Sequence, residues 1–466
     1  MINKREKRLI LLILLTAAIL SPLDFYIVNL ALTPIQRGLE ASASQLQMII
    51  SFYACGFAVF QITGGRLGDQ LGRKNIFMIG LTGFIIASAI CGLAHKPEIL
   101  ILGRVMQGIS GAILSPQIIA LIHTLYSEEE KTKVMALYSF TFGIAAVLGQ
   151  VLGGILISMN LFGLGWRTIF LINLPVGLAA LWGGARLIPK VERAEAAKLD
   201  GLGILLFSTF LTLIVYPLTQ VGEVGWTKPL VLALASSLLF LLLFVIHEKR
   251  VIRKGDTPLI DMAVFRYRNL SLGATIAFLF YCSSIFFLAL GFYLQEAAKW
   301  STFMSGMAII PFGLGFMLSS LLAPTITDRI GNRILSLGLI SFALGFSLLI
   351  GALLLYSEPG IFFFIALFIA GLGMGTTLSS IVRISLIGIA NRFAGLAAGV
   401  INSALQIGSA IGVAALGGTF FSQGLTKGYN YSFALVLAIL VGILLIATAI
   451  SFILTKKRVE SKVSEL

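Results

Sequence analysis

The stretch Gly65-Arg66-Leu67-Gly68-Asp69-Gln70-Leu71-Gly72-Arg73-Lys74-Asn75 breaks the chain between two apolar runs, residues 48–63 behind it and 76–94 ahead. Gly65, Gly68 and Gly72 let helix ends approach and let the chain turn sharply. Asp69 is the lone carboxylate among Arg66, Arg73 and Lys74. Such a tight polar turn has two readings. It is a latch whose strength depends on which helix ends are close, or a positive turn that holds two spans with their ends on the cytoplasmic side.

Composition supports the membrane setting of that turn. Of 466 residues, 58% are hydrophobic and only 12% are charged, against about 25% charged in a soluble chain. The 34 Phe and 49 Gly suit transmembrane helices packed through small residues. The net charge of +14 reads as topology, because Lys and Arg fall in the short segments between apolar runs; no nucleic-acid partner is expected. Cys55, Cys91 and Cys282 each lie inside an apolar run, and His95, His123 and His247 are scattered at run ends. That pattern gives no metal spacing, no cofactor and no histidine-based catalytic site. The basic N-terminus leads into an apolar run without a small-residue cleavage site, so it reads as a retained first helix starting in the cytoplasm.

A spanning helix needs about 20 apolar residues. That length divides the chain into fourteen candidate spans, which put both termini in the cytoplasm of a multi-pass protein of the inner (plasma) membrane. Of the 34 Lys and Arg, six then fall in outer loops and two, Arg104 and Arg383, inside spans; the rest are cytoplasmic. Two long polar stretches, residues 189–199 and 247–269, bracket one hairpin. The division is 1–188 for an N-terminal six-helix bundle, 189–268 for the extra hairpin with its linkers, and 269–466 for a C-terminal six-helix bundle and tail. A weak repeat agrees: Asp69-Gln-Leu-Gly-Arg-Lys74 follows the second span and Asp328-Arg-Ile-Gly-Asn-Arg333 the tenth. Each closes the second helix of a six-helix half, the parallel repeat of a transporter built from two related bundles.

Asp24 is the only carboxylate well inside a span by this reading. A charge there costs roughly 2.5–3.5 kcal/mol, so it faces an interior and has a task. Burial favours its neutral form and a nearby cation its charged form, which suits a group that takes up and releases a proton. A structural ion pair or helix-end cap is the other reading. Arg104, at a similar depth in the fourth span, is its natural partner, since a buried Arg needs a counter-charge. Asn402 and Gln406, one turn apart in the thirteenth span, either bond neighbouring helices or line a cavity.

These stretches resemble the fourteen-helix drug:proton antiporters of the major facilitator superfamily. The Gly65–Asn75 run is similar to the signature loop between helices two and three, with Gln70 where that loop commonly has a basic residue. Leu23-Asp-Phe-Tyr-Ile-Val-Asn-Leu-Ala-Leu32 resembles the first-helix motif. Arg104-Val-Met-Gln-Gly-Ile-Ser-Gly111 resembles the fourth-helix motif, whose Arg is assigned to proton coupling. Trp166-Arg-Thr-Ile-Phe-Leu-Ile-Asn-Leu-Pro-Val-Gly177 and Leu199-Asp-Gly-Leu-Gly203 also look characteristic. Gly143-Ile-Ala-Ala-Val-Leu-Gly-Gln-Val-Leu-Gly-Gly154 resembles the antiporter motif, with Gln150 in place of its proline; Gly143, Gly149, Gly153 and Gly154 would allow close contact at helix interfaces, with Gly149 and Gly153 placed between the halves.

The resemblance implies an all-α integral membrane protein of the major facilitator fold, two six-helix bundles plus a hairpin. It implies alternating access that exchanges inward-moving protons for an outward-moving small lipophilic compound. Asp24 would carry the proton and Arg104 tune it. Asn29, Gln107, Gln150, Asn402 and Gln406 would line a cavity between the halves. Gly65, Asp69, Gly72, Arg73 and Lys74, with Asp328 and Arg333, would form the latch. Such a protein works in the lipid bilayer as a monomer. The rival readings are a proton-coupled transporter of a specific metabolite on the same fold and a membrane-embedded enzyme.

Overall fold

A computed structural model describes residues 3–189, 199–356, 358–390 and 393–456. The expected cytoplasmic linker lies for the most part, and Arg392 and the tail after Lys456 wholly, outside the described residues. The first half runs through α1 (Lys4–Leu39), α2 (Ala43–Leu71), α3 (Arg73–Gly92), α4 (Pro97–Leu125), α5 (Glu128–Met159) and α6 (Gly165–Leu187). The hairpin is α7 (Gly201–Val224) and α8 (Lys228–Arg253). The second half holds α9 (Arg268–Ala297), a short helix Thr302–Met307, α10 (Ile310–Ile330), α11 (Ile334–Leu355), α12 (Ile361–Ser385), α13 (Ala394–Lys427) and α14 (Tyr429–Lys456).

The sequence sets several helix starts directly. Asn3 with Glu6, Ser42 with Gln45 and Ser127 with Glu130 form reciprocal capping boxes at α1, α2 and α5, satisfying backbone N–H groups that a helix start leaves unpaired. Pro22 and Pro34 lie inside α1 without ending it, as packed membrane helices allow.

Twelve segments of the described residues are long and apolar enough to cross a membrane, where the sequence led to an expectation of fourteen. The difference sits in two places. Residues Thr302–Leu355 count as one segment of 54 residues, although they contain both α10 and α11 about the break Gly331–Arg333. From α5 only the shorter apolar stretch Gly143–Met159 counts; the side chains at 132, 136, 139 and 142, earlier in the same helix, lie outside the described residues.

The opening stretch is less of a turn than its polarity suggested. α2 continues through Leu71 and α3 begins at Arg73, so the break is Gly72 alone, with φ of 92°. Charged side chains on a helix end reach outward from it, and a single residue in a conformation open to glycine suffices to redirect the chain.

The two halves meet along α1 against α9, α2 against α13 and α5 against the Thr302–Met307 helix and α10. Gln295 Nε2 donates to the Leu30 carbonyl at 3.1 Å and Ser403 Oγ to the Ala58 carbonyl at 2.9 Å. Gln295 sits in a wide helical turn, Tyr293–Ala297, at the end of α9; a local insertion of this kind re-aims side chains. At the rim, Arg37 Nη2 pairs with Glu296 Oε1 at 2.5 Å.

The α5 glycines divide their work differently from the expectation. A Cβ on Gly149 would lie 2.9 Å from the Leu23 carbonyl, and one on Gly153 the same distance from Ile27, so both press α5 onto α1 within the first half. Gly143 and Gly154 face Phe316 and the Thr302–Gly306 backbone across the halves. Positions six and five residues from that α1 face point elsewhere on a helix of 3.6 residues per turn, which a linear motif does not reveal. The hairpin touches both halves. α7 packs on α2 and α13, Glu223 accepts the Ser44 N–H at 2.7 Å, and Gly222 abuts Gly418.

Candidate functional site

α2 and α4 cross with their backbones in contact. A Cβ on Gly108 would lie 2.2 Å from the Tyr53 carbonyl oxygen, and one on Gly56 2.9 Å from that of Val105. Only glycine permits this approach, and it carries Arg104 beneath α2. There Arg104 Nε donates to the Ile49 carbonyl at 3.1 Å, and its guanidinium lies 4.1 Å from the centre of the Tyr53 ring.

The guanidinium meets Asp24 directly, with Nη1 donating to Oδ2; both residues are 0% exposed. The other carboxylate oxygen, Oδ1, accepts from Asn173 Nδ2 at 2.9 Å and Gln107 Nε2 at 3.1 Å. Gln107 Oε1 in turn accepts from Arg104 Nη1 at 2.8 Å, and its amide nitrogen also donates to Ser88 Oγ at 2.8 Å. Cys91 Sγ lies 3.4 Å from the same Gln107 oxygen. Five helices of the first half, α1, α2, α3, α4 and α6, therefore supply one network in which every Asp24 partner is a donor.

Beside the network lies a cavity of about 80 Å³ between the halves, bounded by Phe25, Tyr26, Tyr53, Tyr138, Tyr281 and Gln406 among others. Its lining is aromatic and aliphatic with Ser21, Ser115 and Gln406, and among the described residues no Asp, Glu, Lys, Arg or His contributes to it. Gln406 Oε1 is buried there without a hydrogen-bond partner. Phe25 stacks at 6.4 Å on Tyr281, and Tyr26 meets Phe287 edge-on at 5.1 Å, so aromatic pairs from α1 and α9 form the seam.

Of the residues expected from the sequence, Asp24, Arg104 and Gln107 come together in the network, and Gln406 lines the cavity. Asn29 donates to the Phe25 carbonyl of its own helix at 2.7 Å. Gln150 is buried on α5 with its carbonyl against Gly306, and Asn402 is half-buried on α13. In the signature stretch, Asp69 pairs with Arg73 at 3.4 Å in a half-exposed contact. Arg73 also donates to the Ala120 carbonyl and Thr124, and Lys74 to the carbonyls of Ala185 and Ile188. These cations cap the C-terminal ends of α4 and α6, where the helix dipole favours them. Asp328 and Arg333 are exposed, and so is Arg383, which donates to Thr327.

Asn173, Ser88, Tyr53, Tyr138 and Tyr281 are among the network and cavity residues that the sequence alone did not mark. Asn173 stood in the Trp166–Gly177 motif without a role. A serine or tyrosine inside an apolar run carries no signal of its own, because either is common at helix contacts.

Helices packed around a buried ion pair and a small aromatic cavity between two halves define a multi-pass membrane transporter. A family model described as Major Facilitator Superfamily matches residues 14–413, and the chain belongs to that superfamily. It is 33% identical over 419 residues to the probable actinorhodin transporter of Streptomyces coelicolor, covering 88% of this chain and 72% of that protein. It is 34% identical to the puromycin resistance protein pur8 of Streptomyces alboniger, covering 97% and 92%. Among solved structures, an auto-inhibited POT family peptide transporter shares the fold with a TM-score of 0.68 at 15% identity, covering 97% of each chain. Several further curated relatives are named as antibiotic or multidrug resistance proteins and one as a riboflavin transporter, and proton coupling is consistent with the family.

Proposed function

We propose that this protein exports an uncharged, aromatic lipophilic compound in exchange for protons, by alternating access between its two halves. The observation that carries the reading is Tyr53. One face of its ring lies over the Arg104 guanidinium, and the same ring bounds the cavity between the halves. A substrate that moves Tyr53 acts on the Asp24–Arg104 pair, and a proton that loosens the pair acts on the cavity wall. Reciprocal coupling of this kind is what exchange requires. The aromatic lining with no charged side chain favours stacking and apolar contact over recognition of a polar metabolite or a charged drug. At about 80 Å³ the cavity is below the roughly 300 Å³ of a small-molecule site, so admission requires the halves to separate. The names of the relatives, a transporter and a resistance protein for antibiotics, support an exported substrate. The reading is of a transporter and not of an enzyme.

Fourteen crossings remain the proposed topology, with both termini in the cytoplasm, halves at 1–188 and 269–466, and the hairpin at 189–268. Straight, a helix of 54 residues would extend about 80 Å, while the hydrocarbon core is about 30 Å; α10 and α11 are two spans in this reading. α5 is a further one. The protein acts as a monomer in the cell membrane, with Asp69, Gly72, Arg73 and Lys74 stabilising one conformation.

Efflux of a panel of lipophilic compounds from cells lacking other pumps, with and without a protonophore, tests the function. Export that resists the protonophore overturns proton exchange. Topology is tested by cysteine at Trp226, which is 59% exposed between α7 and α8. Labelling by an impermeant maleimide added to intact cells is expected; protection there overturns the fourteen-span arrangement.

A further inference from the structure

Away from the ion pair, a second group of ionisable side chains joins the start of α7 to the end of α8. Asp200 caps α7: its Oδ1 accepts the Gly203 N–H at 2.8 Å and lies 2.7 Å from His247 Nε2. Glu248, 0% exposed, accepts the Ile260 N–H on Oε2 at 2.9 Å. Each carboxylate thus commits one oxygen to a backbone donor. Among the described residues, the other two, Asp200 Oδ2 and Glu248 Oε1, are buried with no hydrogen-bond partner. Both converge over Gly203, where a Cβ would lie 2.5 Å from one and 2.6 Å from the other. Two buried carboxylate oxygens this close repel each other when both are ionised, and a shared proton or a cation between them removes that cost.

We propose that Asp200, His247 and Glu248 bind one divalent transition-metal ion in the cradle over Gly203. The three ligand atoms lie within 4.8 Å of one another, close to the spread of about 4.4 Å allowed around an ion with ligands at 2.0–2.2 Å. One imidazole with two carboxylates suits Zn²⁺, Mn²⁺ or Co²⁺, whereas Mg²⁺ and Ca²⁺ favour oxygen alone. A divalent ion and two carboxylates are together neutral, which suits a buried site. The Gly203 and Ile260 amides hold each carboxylate by its second oxygen, the outer support that orients metal ligands. Sequence spacing gave no hint of the site, because Asp200 and His247 are 47 residues apart and meet only when the hairpin closes.

The site reaches the signature stretch. Arg66 Nη2 donates to the Leu259 carbonyl at 3.3 Å, one residue before the amide that holds Glu248. A bound ion would therefore fasten α7, α8 and the segment after them beside the end of α2.

The test uses the full chain, without a polyhistidine tag, in lipid nanodiscs after treatment with chelator, and is independent of transport. Titration with CoCl₂ is followed by calorimetry and by visible absorption. One ion per chain with a nitrogen- and oxygen-ligand absorption band is expected. Glu248→Gln and His247→Ala should each weaken binding at least tenfold, and Asp200→Asn, which keeps the helix cap, should do the same. Gly203→Ala, which fills the cradle, should weaken it while leaving elution from a sizing column unchanged. No binding by the wild-type chain, or equal binding by Glu248→Gln, overturns the metal site; in that case the two acids share a proton.

Discussion

Asp24 and Glu248 are both wholly buried acids, yet their surroundings differ. Around Asp24 the oxygens are saturated by Arg104, Asn173 and Gln107, drawn from helices that all belong to the first half. Around Glu248 and Asp200 one oxygen of each acid is held and the other has no donor. The first arrangement holds a paired charge, and under the proposed exchange it changes state when a proton or a moving Tyr53 disturbs the pair. The second is the arrangement proposed above to take a cation. Burial alone therefore does not assign a role to an acid; the count of donors around it separates a group that switches from a group that binds.

The largest effect is expected from removing charge at the saturated site. Asp24→Asn keeps volume but cannot titrate, and its NH2 faces groups that all donate. Gradient-driven export in everted vesicles should fall to the level of vesicles without the protein, while binding of a neutral substrate persists and loses its pH dependence. Uphill export at the normal rate would make Asp24 purely structural. Arg104→Ala leaves the carboxylate buried and unpaired and should destabilise the protein by about 3–5 kcal/mol, read from thermal denaturation in detergent. Arg104→Lys should retain part of the transport, since charge persists without the planar fork.

Asn173→Ala removes one of the two donors to Asp24 Oδ1. A loss of about 1–3 kcal/mol is expected, with a shifted pH profile of export; a variant with unchanged stability and profile would break the claim that saturation matters. Asp69→Asn should be smallest in stability, below about 1 kcal/mol, because its pair with Arg73 is half-exposed. Slower transport with an unchanged melting temperature would sharpen the contrast between a buried pair that folds the site and a surface pair that biases conformation. Transport at the normal rate would leave the Asp69 stretch as a topology signal.

The central pair is legible in the sequence. A carboxylate and an arginine inside apolar spans each demand a partner, so Asp24 and Arg104 can be matched across 80 residues from that demand alone. Asn173 cannot, at 149 residues from Asp24, since an asparagine at a helix end has many local uses. The cavity lining is equally hidden: Tyr53, Tyr138 and Tyr281 look like the other aromatic residues of an apolar span until helix rotation turns them toward one another. The α5 glycines show the same limit. Their motif announces close packing, but only the rotation of α5 decides that Gly149 and Gly153 face α1 while Gly143 and Gly154 face the other half.

By itself the sequence determined the membrane class, the helical architecture and the identity of the central ion pair. These follow from local quantities: the length of apolar runs, the placement of Lys and Arg, and the expense of a charge in hydrocarbon. Only the tertiary structure decided which donors saturate Asp24, that Tyr53 joins the ion pair to the cavity, and that Asp200, His247 and Glu248 meet over a glycine. Those depend on how far each helix is turned and how closely its backbone approaches a neighbour, which packing across the whole chain sets and no single stretch encodes.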